Sequence, residues 1–288
     1  MKKLFALLIT VILAVTACVG LTACGKELIG FDIELAKEVA KELNIKVEFK
    51  EIDWDSKETE LSSKAIDCVW NGFTYTEDRD NGYFDEERNA QIGGLDFTEM
   101  YMVNKQVAVV KKANVANYTD NNSFSGKSGC AEASSAGKTV ITTVLGGQAA
   151  ELGKQLDTLV AVKAGTYDYA VVDLSLASEY IVNEKGTYNK DLAVVEIMGV
   201  EEEFYAIAFR EDSNLPAVFN SVLKKLYENG KAQEIAKKYS LDAALYNGFT
   251  NAETLATMPT DGDYKYVADK GTIIIGYTIF APMAYFAE

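Results

Sequence analysis

Alternation constrains this chain more than any other feature: short runs of β-branched and aromatic residues recur, separated by segments with helical spacing. Residues 33–43 (IELAKEVAKEL) set Leu35, Val39 and Leu43 opposite charged positions, the pattern of an amphipathic helix. Lys46-Val47-Glu48-Phe49 alternates as a strand, and residues 58–63 are compatible with a second helix. Ile66-Asp67-Cys68-Val69-Trp70 then reads as a buried strand that Asn71-Gly72 ends. Strand and helix in this order imply βαβ units, so the expectation is an α/β fold whose largely parallel sheets carry helices on both faces. At 288 residues there is chain enough for two lobes.

The remaining segments extend the pattern. Residues 80–95 are polar and glycine-bearing, an excursion from the sheet. Residues 106–111 (QVAVVK) read as a strand crossing into a second lobe, and residues 204–209 (FYAIAF) as the return. Between them, residues 129–135 (GCAEASS) give a short strand and two serines before a helix-compatible segment. Residues 159–172 pass through Gly165 into the strand Tyr169-Ala170-Val171-Val172, which ends on Asp173. Helices are expected over 215–227 and 232–239, divided by Asn229-Gly230, and residues 250–270 read as a polar linker. Thr272-Ile273-Ile274-Ile275-Gly276 is a continuous apolar run typical of a central parallel strand.

Composition narrows the chemistry. The absence of histidine excludes Ser-His-Asp and Cys-His catalysis and His-ligated zinc. A net charge of -15 argues against nucleic acid, whose phosphates need a basic face. Cys68 and Cys130 sit in apolar, strand-like contexts without CxxC or metal spacing, so buried free thiols are expected, with no metal and no cofactor. Lys2 and Lys3, an apolar run over 4–15 and the small residues after it have the order of an export signal, and the run is short for a membrane span.

Residues 67–79 (DCVWNGFTYTEDR) form the candidate binding stretch. Thr74, Thr76 and Arg79 bring hydroxyls, backbone N–H groups and a guanidinium towards one point, a set that suits a carboxylate. The same residues also fit a strand, a polar turn and a surface arginine. Ser134 and Ser135 form either an anion site or an ordinary helix cap. Asp173, at a buried strand tip, must meet solvent, a cation or N–H donors, and a carboxylate there can hold an ammonium group. Trp54, at another strand end, is either a half-buried loop aromatic or a ligand contact.

Leu21-Thr22-Ala23-Cys24-Gly25 resembles the lipobox of bacterial lipoproteins, which would make Cys24 the lipidated residue; Val15-Thr16-Ala17-Cys18 is a second match. Taken together, the segments resemble the amino-acid-binding branch of the bacterial extracellular solute-binding proteins, the two-lobed receptors of ABC importers. The resemblance covers residues 25–288 in circularly permuted order: the family begins with the strand seen here at 272–276, continues through a Phe280-Ala281-Pro282-Met283 turn and runs into Glu27-Leu28-Ile29-Gly30-Phe31-Asp32.

That resemblance implies a Venus-flytrap architecture, with a signal peptide over 1–24, a first lobe of residues 25–104 and 209–288, and a second lobe of residues 105–208. It implies that Arg79 grips the ligand's α-carboxylate, helped by the Gly72 backbone, Asn71, Thr74 and, from the second lobe, Ser135. Asp173 would receive the α-ammonium, and Phe280 and Trp54 would sandwich the ligand side chain. The expected partners are a free amino acid, a transporter permease and, through the lipid on Cys24, the outer face of the cell membrane; the protein would be a monomer without catalysis. Three departures stand out: Tyr277 replaces an acidic residue common in the family, the excursion after Arg79 makes Arg88 a rival, and no strand is evident between Ser135 and Asp173. Two alternatives share the fold, a dehydratase using Glu132 or Glu201-Glu202-Glu203 as acid or base, and the sensing subunit of a receptor.

Overall fold

Apolar runs of strand length collect into two main sheets, one of six strands and one of five, beside a small three-stranded sheet and a two-stranded hairpin. The computed structural model describes residues 22–23, 26–85 and 89–287; Cys24 and Arg88 lie outside the described residues. A short antiparallel pair, β1 (Thr22–Ala23) and β2 (Lys26–Ile29), leads into α1 (Phe31–Glu42), whose Phe31, Ile33, Leu35, Ala36, Val39 and Ala40 are buried. Gly30 makes the corner between them at φ 133°, where an added Cβ would lie 2.1 Å from the Met283 carbonyl oxygen. There follow β3 (Lys46–Glu51), α2 (Lys57–Ser62), β4 (Cys68–Thr74) and α3 (Glu77–Asn81). The polar excursion is the hairpin β5 (Tyr83–Asp85) and β6 (Ala90–Ile92), and β7 (Leu95–Phe97) and β8 (Met102–Asn104) return to the sheet.

The second sheet begins at once with β9 (Gln106–Lys111), then β10 (Gly129–Glu132), α4 (Ala136–Thr143), β11 (Ala149–Leu152), α5 (Gln155–Ala164), β12 (Tyr169–Asp173), α6 (Leu174–Ala177) and β13 (Leu192–Val195). β14 (Glu203–Arg210) rejoins the first sheet and α7 (Leu215–Glu228), α8 (Lys231–Lys238), α9 (Gly262–Lys270), β15 (Thr272–Tyr277) and β16 (Tyr285–Phe286) complete the order.

The larger sheet runs β3-β15-β4-β14-β7, with β8 also on β14. β15 is parallel to β3 from Thr272 opposite Lys46 to Tyr277 opposite Glu51, and parallel to β4 at Ile275 opposite Cys68. Its Ile273 and Ile275 are buried, each stabilising the fold by about 1.5–3 kcal/mol through apolar burial. Asp67 fixes this docking although it has no exposure: it accepts from the Ile274 N–H at 2.7 Å and from Lys270 at 2.6 Å. β14 is antiparallel to β4, β7 and β8. The smaller sheet runs β11-β10-β12-β9-β13, with α4 and α5 packed on its strands. α1 packs on β3 and β4, and α2 on β4 and β14. Cys68 and Cys130 are buried free thiols, and burial pushes the Cys130 thiol up to about 12. Among the described residues, no helix is long and apolar enough to cross a membrane.

Three expectations need correction. β4 is not ended by Asn71-Gly72; it continues to Thr74 through a register shift against Ala206 and Ala208, and Gly72 takes φ 58° inside that bulge. Residues 250–270 are not all linker, because Gly262–Lys270 forms α9 and buries Val267. The strand not evident between Ser135 and Asp173 is β11, an edge strand of sequence AAEL that is only half-buried and so lacks an apolar run.

Candidate ligand-binding cleft

One cleft is lined from both sheets and has a volume of about 380 Å³, its open mouth included. Trp54, Asn71, Gly72, Thr74, Arg79, Thr278, Ile279 and Phe280 line one wall, and Glu132, Ser135, Ala136, Gln155 and Asp173 the other. All eight residues singled out for a ligand site in the sequence fall on this cleft.

Arg79 is placed by the turn before it. Thr76 caps α3, its side chain accepting from the Arg79 N–H at 3.2 Å. Thr76 is therefore a cap, not a further hydroxyl in the cleft. The Arg79 guanidinium donates from Nη1 to the Thr74 carbonyl at 2.5 Å and from Nη2 to the Ser134 carbonyl, on the opposite wall, at 3.5 Å. It also lies 4.7 Å from the Phe73 ring centroid, a cation–π contact that holds its plane. Two of its five N–H donors are thus engaged, and the fork keeps others for an anion.

Gly72 does not present its N–H to the cleft. That N–H donates to Asp32 Oδ2 at 2.8 Å and to the Tyr101 hydroxyl at 3.2 Å, and Tyr101 itself donates to Asp32 at 3.0 Å. The expected backbone donor to a carboxylate is corrected accordingly, because a buried carboxyl group behind the strand has claimed it. Burial pushes Asp32 up to about 7, against the lowering effect of the Tyr101 and Gly72 bonds. What Gly72 gives the cleft is space: a Cβ there would stand 2.6 Å from Phe280. Asn71 is likewise committed, its Oδ1 accepting from the Thr278 N–H at 3.0 Å and its Nδ2 donating to Thr278 Oγ1 at 3.2 Å. It holds the segment that carries Phe280.

Trp54 is 7% exposed and packs edge-on against Phe73 at 5.0 Å between centroids. Beneath it, buried Lys57 donates to the Trp54 carbonyl at 3.2 Å and pairs with Glu58 at 3.0 Å. On the opposite wall Ser135 caps α4, accepting from the Lys138 N–H at 3.2 Å, so the helix-cap reading and the cleft position hold together.

Asp173 meets the N–H donors that its buried position demands. Oδ1 accepts from Asn104 at 2.5 Å and Gln106 at 2.7 Å, Oδ2 accepts from Gln155, and the Asp173 N–H donates to Gln155 Oε1 at 3.1 Å. Glu203 shares the same two amides, from Asn104 at 2.5 Å and Gln106 at 2.7 Å. Loss of water and the nearby Asp173 push Glu203 up to about 7. Burial, then Asp173, push Glu132 up to about 8. Gln155, Thr278 and Ile279 escaped the sequence reading: no local pattern marks a glutamine at a helix start or a threonine just past a strand. Glu132 was considered only as an acid or base.

The bacterial extracellular solute-binding proteins, family 3, match this chain over residues 19–242, and the chain belongs to that family. It is 30% identical over 233 residues to the arginine-binding extracellular protein ArtP of Bacillus subtilis, a match spanning 75% of this chain and 79% of ArtP. Among solved structures, a Streptococcus pneumoniae ABC uptake transporter substrate-binding protein with bound histidine is 31% identical, with a TM-score of 0.63 over 75% of this chain and 85% of that one. The arginine-, lysine-, histidine-binding protein ArtJ of Geobacillus stearothermophilus is 25% identical, with a TM-score of 0.66 over 80% of this chain and 93% of that one. Such relatives are amino-acid-binding proteins of ABC importers, and the two-lobed α/β fold is theirs.

Proposed function

We propose that this chain captures a free amino acid between its two walls and delivers it to the permease of an ABC importer. The observation that carries this reading is the meeting of Arg79 and Asp173, a cation and a carboxylate from different sheets, on one cleft with Trp54 and Phe280. Arg79 takes the α-carboxylate with the Thr74 and Ser135 hydroxyls, and Asp173 takes the α-ammonium. The lobes are residues 25–104 with 209–288, and residues 105–208. Contacts from the second lobe are completed as the two close, so ligand shifts an open–closed equilibrium. The protein works as a monomer tethered through Cys24 to the outer face of the membrane.

The same reading includes a circularly permuted element order. Its support is the place of β15 between β3 and β4, together with a family match that ends at residue 242. A chain in which residues 256–287 are moved ahead of residue 26 is expected to fold and to bind the same ligand.

The test of the function is a thermal-shift screen against the twenty amino acids with Arg79→Ala alongside. A ligand at 100 times its Kd stabilises the folded state by about 2.7 kcal/mol. A shift with one or a few amino acids that disappears in the variant supports the reading, and no shift from cooperatively melting protein overturns it. One observation favours the dehydratase alternative, the carboxyl of Glu132 on the cleft, which burial and then Asp173 push up to about 8. Incubation with prephenate or arogenate is expected to leave both unchanged, and turnover would reverse the assignment.

A further inference from the structure

The ionisable side chains lining the cleft are Arg79, Asp173 and Glu132. On the amino-acid reading, on which this inference rests, the ligand's α-carboxylate answers Arg79 and its α-ammonium answers Asp173. One carboxyl group is left over. Glu132, at the end of β10, is 4% exposed. Lys57, the cation whose charge lowers its pKa, is already answered by Glu58 at 3.0 Å and the Trp54 carbonyl at 3.2 Å. On the neighbouring elements, Lys138 of α4 pairs with Glu151 of β11 at 2.9 Å, and the neutral Gln155 of α5, whose hydrogen bonds lower the Glu132 pKa, also donates to Asp173.

A buried carboxylate with no cation of its own is costly to ionise, and a cation brought by a ligand removes that cost. Aromatic walls favour the same guest, because a guanidinium or ammonium is attracted to ring faces. We propose that Glu132 reads the ligand's side chain and that this side chain is cationic, a guanidinium or an ammonium. Tyr277, where an acidic residue was expected from the resemblance, leaves this task to the opposite wall. Because Glu132 is held up to about 8 by burial and by Asp173, a cation settling beside it draws its pKa down. Near pH 7 the proton leaves as the ligand enters.

The test is isothermal titration calorimetry of the whole chain with L-arginine, L-lysine and L-citrulline, the last an uncharged analogue of arginine, in two buffers of different ionisation enthalpy. Arginine or lysine is expected to bind about 10–100-fold more tightly than citrulline, the scale of a buried hydrogen bond to a charged group. The cation is also expected to release a proton to the buffer, which citrulline does not. Glu132→Gln brings the ratio to within about 3-fold and abolishes proton release. Should that variant fail to fold, Glu132→Asp keeps the charge on a shorter arm and is expected to give an intermediate ratio. Equal wild-type affinity for arginine and citrulline, or an equal loss of both in Glu132→Gln, overturns the inference. Binding of neutral amino acids that depends on Arg79 but not on Glu132 sinks this inference and leaves the amino-acid reading standing. Failure of every amino acid to bind folded protein removes that reading, and this inference with it.

Discussion

Arg79 and Asp173 reach the same cleft from different sheets, and they are held there in different ways. The wall from the larger sheet is fixed by directional bonds: Asn71 to Thr278, Gly72 to the Asp32–Tyr101 pair, Thr76 to the Arg79 N–H. The wall from the smaller sheet is poised by charge: Asp173 shares the Asn104 and Gln106 amides with Glu203, which reaches across from β14 of the larger sheet, and Glu132 is pushed up to about 8 nearby. A wall of the first kind is set by shape, and its bonds to Asp32, pushed up to about 7, lie behind the strand rather than in the cleft. A wall of the second kind changes its affinity for cations as its carboxyl groups titrate. Permanent shape on one side and adjustable charge on the other separate the grip on an amino acid's constant part from the reading of its variable part.

The largest expected effect breaks the first wall at its cation. Arg79→Ala removes the bidentate partner of a carboxylate and is expected to weaken amino-acid binding by about 100-fold or more. The melting temperature without ligand changes little, because Arg79 is only half-buried; calorimetric titration and a melt on the same sample check both. Next, Asn71→Ala severs both bonds to Thr278 and leaves buried partners unsatisfied, which costs about 1–3 kcal/mol. Urea unfolding is expected to show this as a lower midpoint at unchanged slope.

A smaller effect separates the walls by pH. Asp32 rises from 3.8 to about 7, Glu203 from 4.5 to about 7 and Glu132 from 4.5 to about 8. Between the ordinary and the raised values the folded chain holds protons that the unfolded chain has released. Stability from these groups is full below about pH 4, and is lost as pH rises through about 7–8. The melting temperature without ligand is therefore expected to be higher at pH 5.5 than at pH 8.5. Glu132→Gln flattens the upper part of that slope and Asp32→Asn the lower. A melting temperature that rises over this range would mean that the poised charges do not govern stability.

The smallest effect touches the rims. Lys154, just before α5, pairs with Glu51, at the end of β3, at 2.6 Å, with side chains 38% and 41% exposed, and Ser134 donates to Asp55 at 2.6 Å. An exposed ion pair contributes about 0–1 kcal/mol. Lys154→Ala is expected to weaken ligand binding by less than about 5-fold, with the loss fading as salt is added.

Local sequence carried the residues whose job is set by their neighbours in the chain. The Arg79 cluster follows a strand within a few residues, and Asp173 ends an unmistakable apolar run, so both could be placed without coordinates. What stayed hidden depends on distant partners. The Gly72 N–H faces Asp32, 40 residues earlier, and Asn71 is claimed by Thr278, 207 residues later. Gln155 matters only because Asp173 lies beside it, 18 residues on. Edge strand β11 and helix α9 were missed for another reason: neither buries enough apolar surface to imprint a period on its sequence.

The place of β15 between β3 and β4 also orders events during synthesis. All five strands of the smaller sheet have been made once Val195 leaves the ribosome, whereas β15, the strand that joins β3 to β4 in the larger sheet, begins only at Thr272. At about 5–20 residues per second, that interval lasts on the order of ten seconds. During it β3 and the facing side of β4 have unpaired backbone edges, the surfaces that recruit chaperones or pair with another nascent chain. The half of the molecule with the more rigid wall is thus the last to become rigid.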